Sequence, residues 1–276
     1  RKFLDIAHPE VAIFVKYEFW LNMLAELRRR KICSYVVSAI FRRNSIFFRS
    51  YGKMWCRALE TFETMFVQDE NSKSLLAELR FENVVVAGDT RFDRAAALPA
   101  QASRYPLIEH FKGEDRLFIV GSSWRHDEDL LIPFVNAHED VKFVIAPHEM
   151  EQPRIQRLIS ECRGGVVRYS ECRTERDVEG ARVLIIDVIG ILNQLYQYAD
   201  WVYIGGGFGV CIHNTQEPAT YGVPIAFGPK YHKFKEACDM IALGACRSVT
   251  TIEELEEGFA PLKADEQNHH RNGQCR

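Results

Sequence analysis

The 276-residue chain has eight cysteines but no Cys-x-x-Cys pair. Cys33, Cys56, Cys162, Cys172, Cys211, Cys238, Cys246 and Cys275 are scattered, and none has a histidine at zinc-like spacing. A zinc framework is excluded, and isolated cysteines in a chain this long read as reduced, mostly buried hydrophobes of a cytosolic protein. No apolar run reaches the roughly 20 residues that cross a bilayer, and there is no secretory signal. Positive charge is not in excess: 35 Lys and Arg against 38 Asp and Glu leave a net charge of −3, without the global basic footprint of a nucleic-acid binder. There is no internal repeat and no low-complexity tract. An initiating methionine is also missing. Arg1-Lys2-Phe3-Leu4-Asp5-Ile6 reads as the tail of a helix, so the expectation is a fragment of something longer.

What is present is ordinary for a globular protein, with 47% hydrophobic and 26% charged residues, and the length suits two domains. Two basic clusters, Arg28-Arg29-Arg30-Lys31 and Arg42-Arg43, allow two readings. Either cations complement the carboxyl end of a helix, or they face an anionic partner or a membrane surface.

Short apolar runs alternate with helix-period segments. Strands are expected at 11–16, 32–39, 65–68 and 84–87, with helices at 19–30, 44–58 and 71–79. A second series follows, with strands at 117–121, 142–146, 166–169, 182–187, 201–205 and 224–227. Its helices are expected at 127–138, 150–162, 190–198, 215–221, 234–243 and 252–258. This alternation predicts an α/β fold of two doubly wound parallel sheets facing a cleft, the first incomplete. The expected boundaries are 1–98 for the first domain, 99–112 for a linker, 113–263 for the second domain and 264–276 for a frayed tail.

Ligands of such folds bind beyond the carboxyl ends of the strands, and four strand ends in the second series carry suitable residues. Gly121-Ser122-Ser123-Trp124 offers close backbone approach and a serine cap. Ala146-Pro147-His148-Glu149 places an imidazole where it can donate to a phosphate or carboxylate. Asp187-Val188-Ile189-Gly190-Ile191-Leu192 puts Gly190 at a helix entry, able to read a flat base. Gly205-Gly206-Gly207-Phe208-Gly209 leads to His213-Asn214-Thr215-Gln216-Glu217, where a helix start suits an anion and Glu217 suits a ribose. A dinucleotide fingerprint is excluded by the absence of Gly-x-Gly-x-x-Gly and of a following acid. Asp127-Glu128-Asp129 reads as helix-start acids favoured by the dipole, so no metal is expected. The combination points to a nucleotide-sugar pocket.

These blocks, with Val15-Lys16-Tyr17-Glu18-Phe19-Trp20, Phe66-Val67-Gln68-Asp69-Glu70 and Gly88-Asp89-Thr90-Arg91-Phe92-Asp93, resemble the 3-deoxy-D-manno-octulosonic acid (Kdo) transferases of lipopolysaccharide synthesis. The resemblance runs to about residue 258, and the stretch from His213 to Ala219 is its most specific match. It implies a GT-B glycosyltransferase with CMP-Kdo as donor and a lipid A precursor as acceptor, inverting and without metal or other cofactor. It also implies peripheral contact with the cytoplasmic face of the bacterial inner membrane, and no nucleic acid. Ser122, Ser123, Gly206 and Gly207 would belong to the donor site. By position, His148 would contact the donor phosphate or carboxylate, Gly190 and Ile191 would bracket the cytosine, and Asn214 and Glu217 would hold phosphate and ribose.

The family's general base, a Glu, would lie before Arg1, so this chain by itself is expected to bind CMP weakly and transfer nothing. Two positions depart from the family pattern. Cys211 replaces a Gly, and Gln216 replaces an apolar residue, burying an amide at a cost unless it finds a partner. Two other classes share the expected cleft: a nucleotide-sugar epimerase of GT-B-like fold, and a non-catalytic nucleotide-binding fragment.

Overall fold

The computed structural model describes residues 2–209 and 211–264. The chain forms two compact units that divide between Arg94 and Ala95, each with its own parallel sheet. The first sheet has the order β1-β2-β3-β4, with β1 Val11–Val15, β2 Cys33–Ala39, β3 Thr64–Val67 and β4 Val84–Val86. The second contains β5 Arg116–Ser123, β6 Val141–Pro147, β7 Val166–Arg168, β8 Val183–Ile185, β9 Trp201–Ile204, β10 Ile225–Phe227 and β11 Cys246–Ser248. Its order is β11-β10-β9-β5-β6-β8-β7. The α/β class and parallel topology are those expected. β11 was not foreseen, because Cys246-Arg247-Ser248 carries only a short and weakly apolar signal.

The central strands are buried on both faces, which explains their unbroken apolar runs. Leu117 and Ile119 of β5 join one core with Val144 of β6 and Val202 of β9. Phe118 and Val120 join the opposite core with Phe143 and Trp201. In the first unit, Phe19, Phe41, Phe47 and Phe62 pack largely edge to face beneath the sheet.

Several expected elements changed. The single helix foreseen at 44–58 is a short 3-10 turn, Ile46–Phe48, followed by the helix Lys53–Leu59. Gly52 breaks it: a Cβ there would lie 2.2 Å from the carbonyl of Ile46, so the chain folds back tightly at that glycine. The segment 99–112 contains the helix Pro106–Lys112, started by a proline at its first position. Its Ile108 and Phe111 are fully buried in the second unit's core, so this half of the expected linker is structural. Of the expected frayed tail, residues 265–276 lie outside the described residues.

The basic cluster at 28–31 ends the helix Leu21–Arg30. Buried Glu26 pairs with Arg29 at 2.6 Å and Arg30 at 2.8 Å, and Arg28 pairs with Glu60 at 2.8 Å. Those hydrogen bonds hold the Glu26 carboxyl at about 2. The helix-end reading therefore accounts for this cluster. Arg43 pairs with Glu78.

Phe118 is packed against Phe134, Phe143, Trp201 and Phe259. Truncating it to alanine opens a cavity at the centre of the second core. Phe118→Ala should cost about 3–5 kcal/mol, read as a fall in the denaturation midpoint. A loss below 1 kcal/mol would show that this core is not tightly packed.

Candidate functional site

In the second sheet the chain leaves β5 toward β6 on one side, while β9 pairs on the other. The carboxyl ends of β5 and β9 therefore flank the point where strand order reverses, which is where open α/β sheets bind ligands. Ser122, Ser123, Gly206, Gly207, His148 and Asn214 all gather at the loops around this point.

β5 ends in a bulge. Its register with β6 shifts between Gly121 and Ser123, and Ser122 takes φ +53°, an uncommon conformation for a residue with a Cβ. Ser123 is fully buried and its hydroxyl donates to Glu128 Oε1 at 2.9 Å. The Ser123 carbonyl accepts from the His148 N–H at 2.9 Å and from Arg154 Nη2 at 3.2 Å. Ser123 was expected to face the donor, but it anchors the strand end, and the helix cap is Trp124.

The Asp127-Glu128-Asp129 run does stand at a helix start, as expected. Asp127 and Glu128 are buried there. Asp127 Oδ2 accepts the Trp124 N–H and the Gly206 N–H, each at 2.8 Å, and Oδ1 accepts the Tyr203 hydroxyl at 3.0 Å. Burial raises this carboxyl above its ordinary value while the three donors oppose the rise. Glu128 receives Arg154 Nε at 3.0 Å.

The glycines of the loop after β9 have packing duties. A Cβ on Gly205 would lie 2.3 Å from the Ser122 carbonyl, and one on Gly207 would lie 2.5 Å from the Cα of Gly228. Gly206 has φ +92°, and a Cβ there would meet the Cys211 carbonyl at 2.4 Å. Several loop N–H groups are also taken: Gly205 donates to Gly121 at 2.9 Å, Gly206 to Asp127, and Gly209 to Gly206 at 3.0 Å. The loop is glycine-rich because three backbones pass very close together.

Beyond the loop, Trp124 Nε1 donates to His213 Nε2 at 2.8 Å. His148, exposed at the end of β6, stacks on both rings, with centroids 4.5 Å from Trp124 and 4.3 Å from His213. Burial, aided by His148, holds the His213 imidazole down at about 4. The expected helix at 215–221 is one turn, Gln216–Ala219. Asn214 Oδ1 accepts the Gln216 N–H at 3.0 Å, leaving its amide N–H₂ as the group able to reach a ligand. Half-buried Glu217 lies near Tyr196 and Tyr221, and its charge adds to the burial that raises both phenols.

Gly190, at φ +96° and exposed, and half-buried Ile191 stand after β8. β6 separates β8 from β5, so this turn is about 10 Å along the sheet from the bulge. It shares the carboxyl edge but not the His-Trp cluster. Sequence reasoning missed Trp124, Asp127, Arg154 and His213 as contributors. Only the spacing of Trp124 and Asp127 from the Gly-Ser bend hinted at a cap.

Comparison with known proteins places these features. Residues 1–94 match the family profile "3-Deoxy-D-manno-octulosonic-acid transferase (kdotransferase)". The chain is 24% identical over 258 residues to the 3-deoxy-D-manno-octulosonic acid transferase of Chlamydophila psittaci, covering 88% of this chain and 58% of that protein. It is also 24% identical to the Rickettsia prowazekii transferase, covering 84% of this chain and 51% of that one. The chain thus spans about half to three-fifths of these relatives. Among solved structures, the C-terminal CMP-Kdo binding domain of WaaA from Acinetobacter baumannii matches with TM-score 0.51 at 17% identity, covering 66% of this chain and 93% of that domain. The UDP-GlcNAc 2-epimerase of Neisseria meningitidis, bound to UDP-GlcNAc, matches with TM-score 0.64 at 13% identity, covering 99% of this chain and 73% of that one. At these identities the structural likeness establishes the fold, Rossmann-like units of GT-B type.

Two stability outcomes follow from the hydrogen-bond inventory. Asp127→Ala removes both oxygens on which the Trp124 and Gly206 N–H groups and the Tyr203 hydroxyl converge, leaving buried donors unpaired at a cost of about 1–3 kcal/mol. The melting temperature should fall by several degrees, and an unchanged value would mean the loop is held elsewhere. Gln216 is 2% exposed, and neither amide atom has a hydrogen-bond partner among the described residues. Gln216→Leu should raise the melting temperature by removing that unpaired amide, whereas a decrease would reveal an unseen partner.

Proposed function

Because the chain belongs among the Kdo transferases, through a first unit that matches their profile and curated relatives aligned along most of it, we propose that it serves the transfer of Kdo from CMP-Kdo to a lipid A precursor. The transfer inverts the anomeric centre and uses no metal ion. The observation that carries this reading is the convergence of Ser122, His148, His213 and Asn214 on the switch point of the second unit. Partnership with the cytoplasmic face of the inner membrane follows from a lipid acceptor. No helix among the described residues is long and apolar enough to span a membrane.

In the reaction, a general base takes the proton of an acceptor hydroxyl, and the oxygen attacks the anomeric carbon from the face opposite CMP. The bond to the phosphate oxygen breaks, and CMP departs with the electron pair. The enzyme's task is to stabilise charge as it grows on that phosphate. His148, exposed and held by two rings, is the side chain placed to donate to it, with the amide of Asn214 as a second donor. Glu217 accepts from ribose hydroxyls, and Gly190 and Ile191 border the cytosine. Losing one such pre-organised donor typically lowers turnover about 10²–10³-fold.

The 2-epimerases share the fold with uridine nucleotides, so nucleotide preference separates the two readings. Calorimetry in EDTA should show CMP binding more tightly than UMP. Equal affinity, or a strict need for Mg²⁺, would overturn the cytidine, metal-free reading. Glu217→Gln should weaken CMP about ten- to a hundredfold, the loss of a hydrogen bond to a charged group, with little change in melting temperature. A collapse in stability with affinity intact would make Glu217 a structural acid.

A further inference from the structure

We propose that Trp124 is a positioning residue: its indole N–H occupies Nε2 of His213, locks that imidazole as the neutral Nδ1–H tautomer, and so fixes the ring on which His148 stacks. Indole nitrogen can only donate. A donor 2.8 Å from His213 Nε2 therefore requires that nitrogen to be unprotonated. An imidazolium carries hydrogen on both nitrogens and would set N–H against N–H. The Trp124 and His213 rings are nearly parallel, 7° apart, but their centroids are 6.2 Å apart. With a hydrogen bond between them, they lie side by side as one platform rather than stacked.

His148 lies across that platform, 26° from the Trp124 plane and 29° from the His213 plane. Two imidazolium rings 4.3 Å apart would repel each other, and a His213 held neutral avoids that. Burial acts on His213 in the same direction as the indole hydrogen bond. The other charged groups at the platform have partners of their own. Arg154 sits 5.8 Å from the Trp124 ring and is paired with Glu128 and Glu149, while Asp127 accepts the Trp124 backbone N–H. Phenylalanine at 124 would keep a ring beneath His148 and remove only the donor.

Long-range ¹H–¹⁵N spectra of the imidazoles in the full chain test the tautomer without any ligand. His213 should show Nδ1–H with unprotonated Nε2 and should not titrate between pH 8 and 5.5. In Trp124→Phe, His213 should lose its fixed tautomer, its two ring-nitrogen shifts moving toward each other as the Nε2–H form becomes populated. An Nε2–H tautomer, or His213 titration in the unmodified chain, overturns the proposal, and that spectrum decides the matter even where the variant fails to fold. A second arm rests on the reading of the site as a CMP seat. At a fixed pH, CMP should bind about two- to tenfold more weakly to Trp124→Phe than to the unmodified chain, the loss of one hydrogen bond that orients the site. Identical affinities overturn the proposed role. Absence of CMP binding in the unmodified chain counts against the CMP reading, while the tautomer stands on its spectrum.

Discussion

Three donors from three segments meet on one buried carboxylate, and the arrangement of the site depends on it. Asp127 receives the N–H of Trp124, just before the helix Arg125–Ala137, the N–H of Gly206 in the loop after β9, and the hydroxyl of Tyr203 within β9. A carboxylate out of water is costly unless its lone pairs are filled. The protein fills them with groups whose positions must be fixed for a site to exist. Holding Trp124 by its backbone sets the indole ring, the indole sets His213, and both rings set His148. Each step is a contact of 2.8 Å or a ring separation near 4.5 Å. The chain of dependence therefore runs from an interior acid to an exposed imidazole.

That hierarchy explains which parts were legible in the sequence. Strands buried on both faces announce themselves by apolar runs, so β5, β6 and β9 were found close to their true bounds. The ends of these strands, and the residues Ser122, His148, Gly206 and Asn214 beyond them, could be placed by topology alone. Asp127 could not. An acid in a first helical turn has a sufficient reason to be there from the helix dipole, and nothing local reveals that Gly206, 79 residues later, will donate to it. The same holds for Trp124 and His213, 89 residues apart. Ser123, expected in the donor site, is turned inward beside a bulge and donates to Glu128, a pairing that its neighbours in sequence do not signal. Long-range polar pairing leaves no periodic trace.

Local geometry misled in smaller ways. The helix expected over 44–58 had the right period, but the period does not register that Gly52 is pressed against the carbonyl of Ile46. The segment 99–112 looked like a linker because its charged residues were read without Ile108 and Phe111, which are fully buried. In both cases tertiary contact overrode a signal that was real but incomplete.

The glycine-rich loop carries the same lesson into function. A run of glycines after a strand invites the reading of a cradle of free N–H groups, as in phosphate-binding loops. Here Gly205 and Gly206 already spend their N–H groups on Gly121 and Asp127. Their lack of a side chain, with that of Gly207, lets the loop lie against Ser122, Cys211 and Gly228. The loop is thus a spacer that brings β5 and β9 ends together, and recognition passes to the rings and amides mounted around it. Because the fold is shared with 2-epimerases at 13% identity, the backbone framework cannot by itself decide the ligand. The side chains mounted on that frame differ in kind from it: an indole hydrogen-bonded to one histidine, with a second histidine stacked across both rings at the edge of the sheet.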